Sequence, residues 1–103
     1  MSLGFDREWQ LDELLDEASR EKIGPALREL LRGDFALTDG AGQALWGQPS
    51  ADVRREPLII ELEAIGYLLS STAPAAALSA ARDLLLTLLR AQIRFKMAST
   101  LHL

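Results

Sequence analysis

The 103-residue chain contains no cysteine and a single histidine, His102. That excludes disulfide frameworks, thiolate metal sites and cysteine nucleophiles, and it leaves nothing from which to build a histidine metal centre or a Ser-His-Asp triad. The uncharged residues 67–81 are interrupted by Ser70, Ser71, Thr72 and Pro74, so no transmembrane helix is expected. Asp6, Arg7 and Glu8 fall where a signal peptide would need its apolar core. A cytoplasmic protein is the simplest expectation. Cations are few, with 11 Lys and Arg against 15 Asp and Glu. Four spread basic residues in the last third make no nucleic-acid footprint, and no nucleic-acid partner is expected.

What is present is an ordinary globular composition, 49% hydrophobic and 25% charged, of a length that fits one domain. Met1-Ser2-Leu3 is set aside as an expression-vector remnant, leaving a single domain over 4–103. Charge is segregated along the chain. Asp6, Glu8, Asp12, Glu13, Asp16, Glu17 and Glu21 face only Arg7 and Arg20 in the first segment, whereas from Thr72 onward Asp83 is the one acid among Arg82, Arg90, Arg94 and Lys96. The two terminal segments are therefore compatible as neighbours, within one chain or between two.

Apolar spacing at Phe5, Trp9, Leu11, Leu14, Leu15 and Ala18 predicts an amphipathic helix over 6–21. Gly24-Pro25 suits a helix end followed by a new first turn, predicting a second helix over 25–32 that stops at Gly33. A single, sharply kinked helix is the alternative. Beyond Gly33 the period falls to about two. Strands are predicted at 34–38 and 43–46 around Thr38-Asp39-Gly40-Ala41-Gly42, then at 57–62 and 65–70 around Glu63-Ala64, with residues 47–56 as a polar connection. A helix over 74–102 follows, capped by Ser71 or Thr72. Helix, helix, four strands and long helix without βαβ alternation predicts an α+β fold: an antiparallel sheet of about four strands flanked by N-terminal helices and a long C-terminal helix.

That last helix carries two apolar stripes. Ala77, Ala81, Leu84, Leu88, Ala91, Phe95 and Ala98 recur at alternating steps of four and three, the spacing of a coiled-coil seam. Leu78, Leu85, Leu86, Leu89 and Ile93 form a neighbouring face able to cover a sheet, and Ser79, Asp83, Thr87, Arg90 and Arg94 form a polar strip. Alanine at four of the seven seam positions suits close helix approach, so a homodimer formed through this dimer and signalling helix is expected. Extra burial within the monomer is the alternative.

Three segments carry a resemblance. FALTDGAGQALWG (35–47) is similar to the opening hairpin of many PAS and GAF domains, and PLIIELEAIGYLL (57–69) to paired strands of GAF domains. RFKMASTLHL (94–103), with these two, resembles the N-terminal sensory region of bacterial sensor histidine kinases, where a similar sequence leads into a coiled coil and the kinase core. Diguanylate cyclases with similar input regions are a second possible owner. The resemblance covers roughly residues 33 to 103 and implies a GAF/PAS-like input domain in a two-component system, with the catalytic region further along the same full-length chain. It departs from the family in having four strands instead of five or six, which puts the ligand pocket in doubt. No phosphate-binding, ATP-lid or phosphoacceptor sequence is present. The chain itself is expected to be no enzyme and to hold no cofactor or metal, ATP belonging only to a downstream kinase region.

Phe35, Trp46 and Tyr67, all on predicted strands, are the residues proposed to line a pocket, with simple core packing as the alternative. Phe5 and Trp9, at i and i+4, are expected to pack the first helix down. Arg54, Arg55 and Glu56 read as a solvated loop or an anion site. Glu61 and Glu63 share a strand face but lack the cleft that paired-carboxylate chemistry needs. His102 reads as a seam or surface histidine. A ligand-free dimerisation or partner-docking module is the rival to a sensor, and a stand-alone enzyme ranks last because no nucleophile–base pair or phosphate loop is present.

Overall fold

The computed structural model describes residues 9–49 and 53–101 and is α+β, a four-stranded antiparallel sheet with helices on one face. The elements in chain order are α1 (Leu11–Leu14), α2 (Glu17–Leu31), β1 (Ala36–Asp39), β2 (Ala44–Trp46), β3 (Arg54–Ile60), β4 (Glu63–Ser70) and α3 (Ala75–Leu101). Phe5 and His102 lie outside the described residues.

The expected first helix is divided. Among the described residues it begins as the single turn α1, closed by a capping box between Gln10 and Glu13. The chain then restarts at Asp16, whose carboxylate accepts the Ser19 N–H at 2.9 Å. The expected break at Gly24-Pro25 does not occur, and α2 runs through both residues. Pro25 is exposed, so the carbonyl it leaves unbonded faces solvent. Gly24 serves packing instead: a Cβ there would overlap the ring of Trp46. The helix closes at Arg32, in the left-handed conformation, with the Arg32 and Gly33 N–H groups both donating to the Arg28 carbonyl.

The strand order is β2-β1-β4-β3, so residues 47–53 link opposite edges of the sheet. Register alternation assigns the faces. Trp46, Leu37, Leu68 and Glu56 share one row and Leu58 pairs with Gly66 beside it, all on the helix-covered face. Thr38, Tyr67 and Pro57 share a row on the other face. Gly66 lets Leu11 press onto the sheet, since a Cβ there would meet its side chain. β3 starts three residues earlier than predicted, taking Arg54, Arg55 and Glu56 out of the expected loop. Pro57 is tolerated inside it because an edge strand has no partner on its outer side, and the missing N–H blunts that edge.

The second hairpin also turns earlier than predicted, at Glu61-Leu62 instead of Glu63-Ala64. Both residues have positive φ (51° and 71°), and Ile60 pairs directly with Glu63. This two-residue turn normally favours Asn and Gly, so Glu61-Leu62 carries no turn signal of its own. A bulge between Leu58 and Ile59 shifts the register next to it.

α3 begins at Ala75, after Pro74, with the Leu78 N–H donating to the Pro74 carbonyl. The turn before it is held by Ser70 and not by Ser71 or Thr72: the buried Ser70 Oγ accepts the N–H groups of Thr72 and Ala73 and donates to the Asp34 carbonyl. The core between sheet and helices is almost wholly aliphatic, built around Leu11, Leu37, Leu58, Leu68, Leu78, Leu85 and Leu89. No described helix is long and apolar enough to cross a membrane.

Candidate functional site

At 27 residues α3 is about 40 Å long, more than the longest strand can cover. It packs on β3, β4 and α2. Leu78, Ala81, Leu85, Leu86, Leu89 and Ile93 are buried, and beyond Ile93 no described residue of the helix is. The outer turns carry Phe95 and Met97 into solvent.

Two flanks of the helix differ in chemistry. The flank over the sheet edge is clasped to β3. Arg82 Nη1 donates to Glu56 Oε2 at 2.6 Å and Ser79 Oγ to Glu56 Oε1 at 2.8 Å. Arg82 also donates to Asp83 from Nε and Nη2. The Asp83 hydrogen bond, assisted by the charges of Glu56 and Asp83, holds the guanidinium above its ordinary pKa. Arg54 adds a 2.7 Å bond to the Ala73 carbonyl just before the helix. Sequence reasoning missed this clasp because its members lie 23 and 26 residues apart in separate polar segments.

The opposite flank is the predicted seam, and the structure divides it. Ala81 is buried and Ala77 half-buried against the domain's own core. From Leu84 onward the stripe faces solvent: Leu84 is 47% exposed, Leu88 44% and Phe95 67%, with Ala91 and Ala98 exposed between and beyond them. These five keep the four-three spacing over two heptads.

Of the three expected pocket residues, Phe35 and Trp46 are brought together and Tyr67 is not. Phe35 and Trp46 stack with ring centroids 6.4 Å apart on the helix-covered side, and the crevice beneath them against Gly24 and Leu27 encloses only about 10 Å³. Tyr67 stands on the other face, where the Arg55 guanidinium lies 4.7 Å from its ring centre. A shallow groove of about 170 Å³ lies where Phe35 and Trp46 meet Gln48, Val53 and Ser71. It is below the volume usual for small-molecule sites.

Trp9 is buried in the core. Glu61 sits in a turn and Glu63 opens β4, so the two do not share a strand face. Among the described residues no group of three or more acidic, His or Cys side chains is placed to hold a metal ion. The feature that stands out is therefore a surface, the apolar stripe from Leu84 to Ala98. Comparison of the chain with protein-family models, with curated proteins and with solved structures finds no match.

Proposed function

We propose that this chain is a cytoplasmic regulatory input domain that forms a homodimer through α3. In this reading it passes a shift of that helix to a catalytic region further along a bacterial signalling protein, either a sensor histidine kinase or a diguanylate cyclase. The domain itself performs no catalysis and needs no cofactor. The observation that carries the reading is the solvent-facing stripe of Leu84, Leu88, Ala91, Phe95 and Ala98 on a helix whose other apolar face is already buried. A monomer has no use for a second apolar face in heptad spacing, whereas two copies meeting there bury it. The similarity of residues 94–103 to the segment that leads into a kinase coiled coil supports the direction of output. Such a device needs only a bias of about 1–3 kcal/mol between two helix arrangements.

Light scattering or sedimentation of the wild type and of Leu88→Asp and Phe95→Asp tests the proposal. A wild-type dimer and two folded monomeric variants are expected. A monomeric wild type, or two variants that stay dimeric, overturns it. The packed interior beneath Trp46 favours one variant of this reading, a ligand-free dimerisation module. A small molecule released on denaturing the purified protein, detected by mass spectrometry, would decide instead for a sensor.

A further inference from the structure

The stripe alone is small for an interface. Its five side chains expose roughly 400 Å² per chain, about half of the ~800 Å² per partner that a specific interface buries. An interface of the usual size needs about as much again from a neighbouring surface.

Helix α2 supplies part of the remainder. A Cβ on Gly33 would lie 2.7 Å from Thr72 Oγ1, so the end of α2 adjoins the start of α3 and the two packed helices run antiparallel. On α2, at roughly 100° per residue, Gly24 and Leu30 stand on opposite flanks of the buried Leu27. The Gly24 flank is taken by Trp46 of the edge strand β2, so the Leu30 flank is the one turned toward α3. On α3 the Ser79–Arg82 flank is taken by Glu56 of the other edge strand, so the stripe is turned toward α2. Leu30, 56% exposed, and the exposed Ala26 therefore border the same groove as Leu84 and Leu88.

Resting on the homodimer reading, we infer that each α3 seats its stripe in the α2–α3 groove of a second copy. The assembly is then a four-helix interface with Leu30 inside it, and not a two-stranded coiled coil. Two features point to a second copy as the occupant. The exposed row has helical period for two full heptads, so what covers it is a helix of matching length. The row offers large knobs at Leu88 and Phe95 beside recesses at Ala91 and Ala98, with a further recess at Ala26 on α2, as a self-complementary surface requires.

The test is the dimer dissociation constant of Leu30→Asp beside Leu88→Asp, by sedimentation equilibrium, with circular dichroism to confirm that both fold. Leu30 is exposed in the monomer, so its substitution leaves the fold intact. At least a tenfold weakening by Leu30→Asp is expected. If Leu88→Asp dissociates the dimer and Leu30→Asp leaves it unchanged, the four-helix arrangement is overturned while the homodimer stands. If the wild type is monomeric, both fall together.

Discussion

Leu84 and Leu85 are adjacent, chemically identical and on the same helix, yet 47% of one and 1% of the other is exposed. The difference shows that leucine content cannot identify a core. What decides is which side of the α3 cylinder each Cβ leaves, because the sheet, the Glu56 clasp and α2 take up the rest of its circumference. A hydrophobic side chain facing nothing is informative when its neighbours at three and four residues face nothing as well.

Truncating each leucine of the pair separates the two sides of the helix energetically. Leu85→Ala leaves a cavity in the aliphatic core and is expected to lower stability by about 3 kcal/mol. Leu84→Ala removes a half-exposed side chain and is expected to cost the monomer less than about 1 kcal/mol. Urea unfolding at protein concentrations low enough to keep the chain monomeric separates the two, since dimerisation would otherwise add its own stabilisation. Equal losses would mean that the stripe belongs to the monomer's core.

Much of this architecture was legible in the sequence. The change of period after Gly33 marked the sheet, and the two stripes of the last helix were visible from spacing alone. Of the seven seam positions, the sequence did not distinguish Ala77 and Ala81, covered by the domain, from the five left in solvent. That division depends on where α2 lies, which no local pattern encodes. The errors share a cause: a residue with a strong local habit was serving a distant contact or lay where the habit cost little. Gly24 looked like a helix terminator and is a seat for the Trp46 ring. Pro25 looked like a helix start and is tolerated on the solvent side. Pro57 looked like a strand start and sits inside an edge strand. Phe35, Trp46 and Tyr67 looked like one cluster, but strand parity sends Tyr67 to the far face. Asp16, by contrast, could have been read as a cap, since a short acceptor side chain three residues before Ser19 is a usable signal.

A leucine that is exposed for another reason gives a smaller effect. Leu62 is 97% exposed, at φ 71° in the tight turn between β3 and β4. Here the exposure is imposed by the backbone, in a conformation that costs a side-chain-bearing residue roughly 1–2 kcal/mol. Glycine relieves that strain at some cost in chain entropy, so Leu62→Gly is expected to stabilise the fold by about 0.5–1 kcal/mol and to leave the dimer constant unchanged. Thermal unfolding and sedimentation read the two quantities separately. A destabilised Leu62→Gly variant would mean that the side chain makes a contact of value, and a weakened dimer would place the hairpin tip in the interface.

The smallest expected effect concerns the end of α2 that faces the outer turns of α3. The Asp16 carboxylate accepts the Ser19 N–H, and this bond holds its pKa below the ordinary 3.8, with smaller help from the charges of Lys96 and Arg20. A lowered folded-state value means that the ionised form is the one the fold prefers. Its contribution is complete at neutral pH, begins to fade near the ordinary aspartate range and is lost as pH falls through the lowered value. Asp16→Asn retains a capping oxygen but cannot titrate. The difference in melting temperature between wild type and Asp16→Asn should therefore be constant from pH 7 to about 5 and shrink below about 4, in the range where an unfolded aspartate titrates. Because Lys96 lies on the same helix as the stripe, raised salt should reduce the plateau slightly without removing it, the larger part coming from the hydrogen bond at the cap. A difference that stays constant down to pH 2 would show that the carboxylate charge does nothing at this helix start. One that vanishes in salt would shift the credit from the cap to Lys96 and tie the start of α2 electrostatically to the outer turns of α3.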